Sequence, residues 1–460
     1  MSTAPLWTVA EVARALGVAG AFPDTAIDFV TQDSRLVKPG SLFVALSGTP
    51  SGGFVSSFAS ARDGWEFAAN AQASGAVAMI VPHRVEGVSV PQLVVKDTLI
   101  DGLWALARAA RARFNGPVIG LTGSAGKTST KEFIAAYPNA YASPSSFNNF
   151  WGVPLTLCNA DPKASVWVVE MGMNQSGEIL RLSDLTRPTV ALVVNVQPVH
   201  LEKLGSLEAI RQEKVSIARG LPKDGVLVLP AELEAPEWNG KVVRFGDAAE
   251  VRELRHEAHG ESWRVTAEVC GRQLAFSLTP GAPHRLQNAL AALASVHAAG
   301  LDAAALAKQL GDVGIMSGRG VEQAAGGAIL IDDSFNGNPA SMVAALGSLK
   351  ARPVQAGRRI AILGDMLELG VEAPAYHQGL APHLAGIDGV YCVGPLMRHL
   401  YDLLPPGQGL GWHEDPATLE PKEVASLLRG GDVVVVKGSK KMFWVNKFVP
   451  KLLAALQAKA

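Results

Sequence analysis

The residues best equipped for chemistry lie in Thr122-Gly-Ser-Ala-Gly-Lys-Thr128. Gly123 and Gly126 allow backbone angles and close approaches that a Cβ would block. The amides of Gly123, Ser124, Ala125, Gly126, Lys127, Thr128 and Ser129, at a turn and the start of a helix, can therefore converge on an anion. Lys127 adds a positive charge and the Thr128 hydroxyl can hold a magnesium ion, so the stretch reads as a cradle for nucleotide phosphates. The loop is a variant: the usual pattern has four residues between its first glycine and the Gly-Lys pair. Here Gly120 and Gly126 enclose five, with Leu121 where a glycine is expected.

Other polar groups close apolar runs. Glu170 ends Val166-Trp-Val-Val, and Val190-Ala-Leu-Val-Val-Asn195 leads to His200. A parallel α/β sheet sets its strand ends side by side, which would bring Glu170 and His200 to Thr128. Glu170 offers an anionic oxygen suited to magnesium, and His200 an imidazole for a second ion or a water. Taken singly, His200 is more often a hydrogen-bonded structural histidine. Lys214 falls on a helix that Ser206 can cap, with Leu207, Ile210, Val215 and Ile217 as core candidates; spacing alone makes Lys214 a solvated surface group. Asn288 stands near the start of the alanine-rich helix Leu286–Ala298, where capping is the simpler role and reading a base edge the alternative. Asp333, Asp365 and Lys437 close three further apolar runs. The turn Ser334-Phe-Asn-Gly-Asn-Pro-Ala-Ser341 places Asn336 and Asn338 beside Asp333, which favours a binding role. Asp33, Ser34 and Arg35 lie between two apolar runs, where they could grip a sugar or diphosphate or form a charged solvated turn; the residues leave both open.

The elements that must position these groups fall into three regions. Residues 1–115 hold a helix near Trp7–Leu16, a strand at Ala76–Val81, a Gly- and Ser-rich stretch from Pro50 to Arg62, and a helix at Asp101–Phe114 with Leu103, Leu106 and Ala110 on one face. Residues 116–318 carry the phosphate loop on a parallel sheet, then a small β region at about 240–279, with a glycine and a proline at 281 and 283 before the next helix. Ser317-Gly-Arg-Gly320 reads as a hinge. Residues 319–460 repeat four buried-strand patterns, Ala328–Asp333, Arg359–Asp365, Gly389–Gly394 and Asp432–Lys437, with helical intervals, a doubly wound Rossmann-like rhythm. The fold class expected is three-domain α/β.

Bulk properties exclude several classes. In 460 residues, 41 Lys and Arg balance 42 Asp and Glu, so no global field draws the chain to nucleic acid or an anionic membrane. Three cysteines, Cys158, Cys270 and Cys392, are too dispersed for a disulfide framework or zinc site and read as small core residues. No apolar run approaches the roughly 20 residues of a membrane span, so a soluble cytoplasmic protein without membrane insertion is expected.

Taken together, the motifs resemble those of the ATP-dependent Mur ligases, which build the peptide of bacterial cell-wall precursors. The ordered set is Asp33-Ser-Arg35 with Leu42-Phe-Val-Ala-Leu46, the loop Thr122–Thr128, Asn148-Asn149 with Gly152-Val-Pro-Leu-Thr156, and His200-Leu-Glu202. It continues with Asp332-Asp-Ser-Phe-Asn-Gly-Asn-Pro339, Gly364-Asp-Met-Leu-Glu-Leu-Gly370 and Lys437-Gly-Ser439. The resemblance leans to the branch that adds D-alanyl-D-alanine to UDP-N-acetylmuramoyl-tripeptide. It implies that Lys127 and Thr128 hold ATP and magnesium, that Glu170 and His200 complete two metal sites, and that Lys214 is carbamylated by carbon dioxide to an anionic ligand. It also implies that Asn288, Arg319 and Asp333 contact the nucleotide, Asp33, Ser34 and Arg35 the uridine diphosphate, Asn148, Asn149 and Thr156 the muramyl-peptide, and Asn336 and Asn338 the dipeptide. A monomer whose C-terminal domain swings about Arg319 to close the site is expected. The branch that adds the third residue carries Asp-Asn-Pro-Arg where this chain has Ser334–Pro339. A phosphate-loop switch would need a guanine-reading Asn-Lys-x-Asp, which this chain lacks. Phe335 and Gly337 replace a common tyrosine and alanine, and Arg285 a frequent asparagine.

Overall fold

The computed structural model describes residues 5–54, 60–259, 262–279, 284–354 and 356–459. Residues 55–59 of the Pro50–Arg62 stretch, and the glycine and proline at 281 and 283, lie outside them.

The first sheet sets Phe29–Thr31, Ser41–Val44, Ala76–Val81 and Gln92–Val94 side by side, all parallel. Helix Val9–Leu16 starts in a capping box, with the Thr8 hydroxyl accepting from Glu11 N at 3.2 Å and the Glu11 carboxylate accepting from Thr8 N at 2.8 Å; it ends on Gly17 at φ 66°. Trp7 itself belongs to a short strand paired with Ala26–Ile27 rather than to the helix. Asp97 accepts from the amides of Leu99 and Ile100 and so opens the π-helical turn Thr98–Trp104, which runs into helix Ala105–Ala112. Leu103, Leu106 and Ala110 are buried as their spacing predicts, and they face the central region: one continuous core joins them to Val153, Leu155 and Leu157. Trp7 Nε1 donates to Cys158 O at 2.9 Å and Trp104 Nε1 to Phe150 O at 2.7 Å, which ties the two regions with buried hydrogen bonds. The described part of the Pro50–Arg62 stretch reaches the same joint. Phe54 stacks on Phe150 with ring centres 5.0 Å apart, beneath the Arg181 guanidinium.

The central sheet has nine strands. Ala140–Ala142, Val166–Glu170, Val118–Thr122, Val190–Val193, Val226–Pro230, Lys241–Phe245 and Val251–His259 follow one another in parallel. Ser262–Val269 and Arg272–Leu278 then extend it antiparallel, so the expected small β region continues the main sheet. Val118–Thr122, Val166–Glu170 and Val190–Val193 are buried throughout, as apolar strands covered on both faces must be. Helix His284–Ala298 packs over one face beside helix Lys127–Ala135. Its fully buried Ala289, Ala291, Ala292 and Ala294 permit close approach, while burial of Leu290, Leu293 and Val296 contributes about 1.5–3 kcal/mol each.

The C-terminal sheet runs Val321–Ala325, Ala328–Asp333, Val433–Lys437, Arg359–Gly364, Gly389–Val393, Gly409–His413, with only the first pair antiparallel. The four strands expected here are present, and two edge strands join them. Elsewhere Leu207 is 49% exposed instead of core, because it sits in the first turn on the solvent side, while Ile210, Val215 and Ile217 are buried. Cys270 is only half-buried, in a turn at φ 48°, whereas Cys158 and Cys392 are core residues; all three thiols are free. No helix among the described residues is long and apolar enough to cross a membrane.

Candidate active site

Leu121 explains the variant loop. It lies inside the strand, paired with Leu192 on one side and Glu170 on the other, so the turn begins at Gly123. Gly126 adopts φ 76°, and a Cβ there would stand 2.6 Å from Asn288 Oδ1, so any side chain at 126 would be strained and would have to displace the buried Asn288. The neighbouring strand end pins the loop. Asn195 Oδ1 accepts from Ala125 N at 2.9 Å, its Nδ2 donates to Ala125 O, and Ser124 N donates to Asn195 O. Ser124 Oγ donates to Gln197 O at 3.0 Å and accepts from Gln197 N at 2.8 Å. Lys127 Nζ donates to Gly123 O at 2.6 Å, and burial pushes its amine down from the ordinary lysine range, opposed by the nearby Glu170 carboxylate. Thr128 Oγ1 lies 3.4 Å from Ser146 Oγ and accepts from Arg319 Nη2 at 3.0 Å.

Glu170 is 1% exposed. Its Oε1 accepts from Asn148 Nδ2 at 2.7 Å, and its Oε2 is buried with no hydrogen-bond partner among the described residues. A buried acceptor left unpaired costs about 1–3 kcal/mol, more when charged, and a cation at that oxygen removes the penalty. Lys214, expected on the surface, is 2% exposed. Burial, and then the positive charge of Lys127, push its amine well below the ordinary lysine range, while Glu213 pulls the other way. Glu213 itself accepts from the amides of Gly177 and Ile179 at 2.7 and 2.8 Å, and no carboxylate forms an ion pair with Lys214 among the described residues. An amine so placed favours its neutral, nucleophilic form. Among the described residues no three His, Cys, Asp or Glu side chains gather as a metal site. A cation beside Glu170 would thus draw on Thr128, on phosphate oxygens and on whatever Lys214 becomes.

His200, at φ 56°, does not share a hydrogen bond with Thr128 or Glu170. Its Nδ1 pairs with Glu368 of the C-terminal region, and the imidazole holds that carboxylate below the usual range. Arg319 lies across the joint, its guanidinium 4.3 Å from the centre of the Phe335 ring. Burial lowers it from the ordinary arginine range, with Glu170 and Asp333 opposing. Asp333 Oδ2 meets Lys437 Nζ at 2.7 Å, and Lys437 also donates to Asn336 O at 3.1 Å. Asn288 corrects the capping expectation: the helix already includes His284, so Asn288 is interior, buried against Gly126, with no partner for Nδ2 among the described residues. Ser129, Glu132, Asn288, Met316 and Arg319 line a narrow cleft behind the loop. Arg285 flanks that cleft; burial lowers it to about 10, it donates to Thr279 O and Val313 O, and it lies over Phe133.

Several other candidates are engaged internally. Asp33 accepts from Arg35 N at 3.0 Å and pairs with its guanidinium at 2.6 Å, with Ser34 between them in a helical turn; the Arg35 side chain is exposed. Asn149 Oδ1 accepts from Gly152 N at 2.8 Å, and the buried Thr156 Oγ1 donates to Gly152 O at 2.9 Å. Asn338 caps helix Pro339–Ala351 by accepting from Ser341 N at 2.9 Å, and Asn336 Oδ1 accepts from Gly337 N at 3.0 Å. Asp365 accepts from the amides of Leu396 and Met397, and burial raises its carboxyl to about 6. The residues missed by sequence reasoning are Asn195, which brackets the loop, Asn148 as the partner of Glu170, and Glu368. An asparagine closing an apolar run was the only local signal for the first.

Known proteins resemble this arrangement. The Mur ligase middle domain family matches residues 121–296, and the Mur ligase glutamate ligase domain family matches residues 318–440. A UDP-N-acetylmuramoyl-tripeptide–D-alanyl-D-alanine ligase of Escherichia coli K12 is 34% identical over 439 residues, covering 91% of this chain and 92% of that one. A Bacillus subtilis ligase of the same name is 29% identical, covering 84% of each chain. Among solved structures, a MurF of Acinetobacter baumannii superposes with TM-score 0.81 at 26% identity over 97% of this chain and 99% of that one. A Thermotoga maritima MurF ligase in complex with ADP does so with TM-score 0.77 at 25% identity over 95% and 100%.

Proposed function

The chain belongs to the Mur ligase family, and from that premise we propose that it joins D-alanyl-D-alanine to UDP-N-acetylmuramoyl-tripeptide with ATP, in the cytoplasmic synthesis of peptidoglycan precursors. The observation that carries the reading is the cluster of an orphaned, buried Glu170 oxygen, the Thr128 hydroxyl and an unpaired Lys214 amine around Lys127. We assign residues 1–115 to the UDP-muramyl-peptide, 116–318 to ATP and 319–460 to closure and the dipeptide.

A bare carboxylate is a poor electrophile. The γ-phosphoryl group would pass to the tripeptide's free carboxylate, and the dipeptide amine would attack the resulting acyl phosphate and expel phosphate. Such transfer depends on positioning and charge neutralisation. The amides of 123–129 and Lys127 cradle the phosphates, Arg319 adds charge from across the joint beside Asp333, and Asn288 faces the nucleotide beside Gly126. The fit of Thr128, Glu170 and Lys214 to magnesium rests on the orphaned oxygen and on the amine held well below its ordinary range, which carbon dioxide can convert to a carbamate; His200 would join them only through its free Nε2, as the resemblance implies. Magnesium held there supplies charge neutralisation at the transferring phosphoryl group. Asn148 keeps Glu170 in place, so its contribution toward the muramyl-peptide runs through that carboxylate. Phosphate release from ATP with UDP-tripeptides ending in diaminopimelate or lysine tests the reading. Release should require D-alanyl-D-alanine; release indifferent to the dipeptide would point to a nucleotide switch instead.

A further inference from the structure

Gly364-Asp-Met-Leu-Glu-Leu-Gly370 is a motif that the phosphate chemistry does not use, yet hydrogen bonds within the C-terminal region tie it down where that region meets the central one. Met366 N donates to His377 Nε2 at 2.9 Å, Leu367 N donates to Ser439 Oγ at 2.8 Å, and Ser439 N donates to Asp365 O at 3.0 Å. On this clamped loop Glu368 takes φ 65°, and opposite it His200 takes φ 56°. A non-glycine residue in the left-handed region costs of order 1–3 kcal/mol and persists only where surrounding contacts over-determine it. Those contacts are present. Glu368 O accepts from Glu202 N at 3.2 Å, its carboxylate meets His200 Nδ1, and Leu201 packs into the C-terminal core. Gly370 lies beside Glu202, where a Cβ would stand at ordinary contact distance, 3.4 Å, from Glu202 Cα.

We infer that Glu368 is a positioning residue for the metal site: by accepting the Nδ1–H of His200 it fixes the imidazole's tautomer and orientation and leaves Nε2 as the nitrogen available to a cation. With Glu368 ionised and the imidazole neutral, the carboxylate can only accept, so Nδ1 donates and the remaining lone pair belongs to Nε2. Ligating histidines characteristically hand their other N–H to a carboxylate, which raises their basicity. Here imidazole and carboxylate come from different regions of the chain. Docking of the C-terminal region therefore strengthens the cation's ligand, and by linkage a bound cation strengthens docking.

The inference rests on His200 being a metal ligand, and the test separates the two claims. The full-length chain, with a non-hydrolysable ATP analogue, is titrated with Mn²⁺ and followed by electron paramagnetic resonance in the unaltered protein, His200→Ala, Glu368→Gln and Glu368→Ala. His200→Ala should lose one ion. Both Glu368 variants should bind that same ion about 10–100-fold more weakly, Ala more so than Gln, with the other ion unaffected. Nitrogen-15 NMR should show a single Nδ1-protonated His200 tautomer in the unaltered protein and a mixture in Glu368→Ala; if that variant fails to fold, the Gln titration decides. Loss of the ion in His200→Ala with unaltered affinity and tautomer in the Glu368 variants would overturn the inference alone. Retention of both ions in His200→Ala would overturn the ligand reading and the inference with it.

Discussion

Lys214→Met separates what the buried amine does for catalysis from what it does to stability. Methionine approximates the length and volume of the lysine side chain but can neither ionise nor take up carbon dioxide. Removing one preorganised electrostatic group from a transition state typically costs about 10²–10³ in kcat, or about 3–4 kcal/mol. A lost magnesium ligand should cost at least that, and added bicarbonate should not restore it; Lys214→Ala should behave alike. Stability should move the other way. Because the folded amine's pKa lies well below its ordinary 10.5, the unfolded chain binds the extra proton between the two values, so the unaltered protein gains stability as pH rises through that window. Methionine removes the Lys214 share of the slope and leaves that of Lys127, whose amine burial also lowers. A buried amine without an ion-pair partner carries a desolvation cost that methionine does not, so the variant should be at least as stable at neutral pH in carbon-dioxide-free buffer. D-alanyl-D-alanine-dependent phosphate release, urea unfolding from pH 7 to 10, and a carbon-13 carbamate resonance from labelled bicarbonate read the three effects. Turnover within about tenfold of normal, under about 1.4 kcal/mol, would refute the carbamate role, and an unchanged pH slope would refute the burial argument.

Gly126→Ala forces a Cβ to 2.6 Å from Asn288 Oδ1 at a positive φ, so ADP affinity measured by calorimetry should fall at least about tenfold; normal affinity would show that the loop relaxes freely. Asp365, with its folded value raised to about 6, gives stability that is full below its unfolded value of 3.8 and is lost as pH rises through about 6. Two units at about 1.4 kcal/mol each make this about 3 kcal/mol. Asp365→Asn should therefore flatten the urea midpoint between pH 4 and 7, and an unchanged profile would mean the carboxyl ionises freely. X-ray scattering with and without an ATP analogue plus UDP-tripeptide should show a smaller radius of gyration with both bound; identical curves would refute closure about Arg319.

What was legible in the sequence follows from what is local. Val118–Thr122, Val166–Glu170, Val190–Val193 and Val433–Lys437 are continuous apolar runs, and their burial on both faces is what such runs require. Gly409–His413 is absent from the expected strands because its two glycines interrupt any apolar run, and only pairing with Gly389–Val393 makes it a strand. Lys214 looked like a surface lysine because a helix alone does not reveal what covers it; Ile210 and Val215 were recognisable, but the proximity of Lys127 comes from the tertiary fold. Asn149 and Thr156 are singled out by a resemblance that carries no geometry, and Asn338 by a turn that does not show what its side chain caps. Here their oxygens satisfy backbone amides or meet a carbonyl, roles that the helix ends at Gly152 and Pro339 demand.

The polar groups of the site come from separate regions, and the chemistry gives a reason. An acyl phosphate exposed to water hydrolyses before an amine can reach it, so the complete constellation should exist only while the regions are docked. Thr128 with Arg319, and His200 with Glu368, are contacts of that kind, each joining a central group to one on the C-terminal side. The N-terminal region, in contrast, shares a continuous core with the centre through Trp7, Trp104 and helix Gly152–Cys158, a joint too apolar to open with each turnover. Two of the three regions thus share one core. The C-terminal region is attached through Gly318 and Gly320 at positive φ and meets the centre through those polar contacts together with Leu201, so it is the part whose separation the scattering experiment tests.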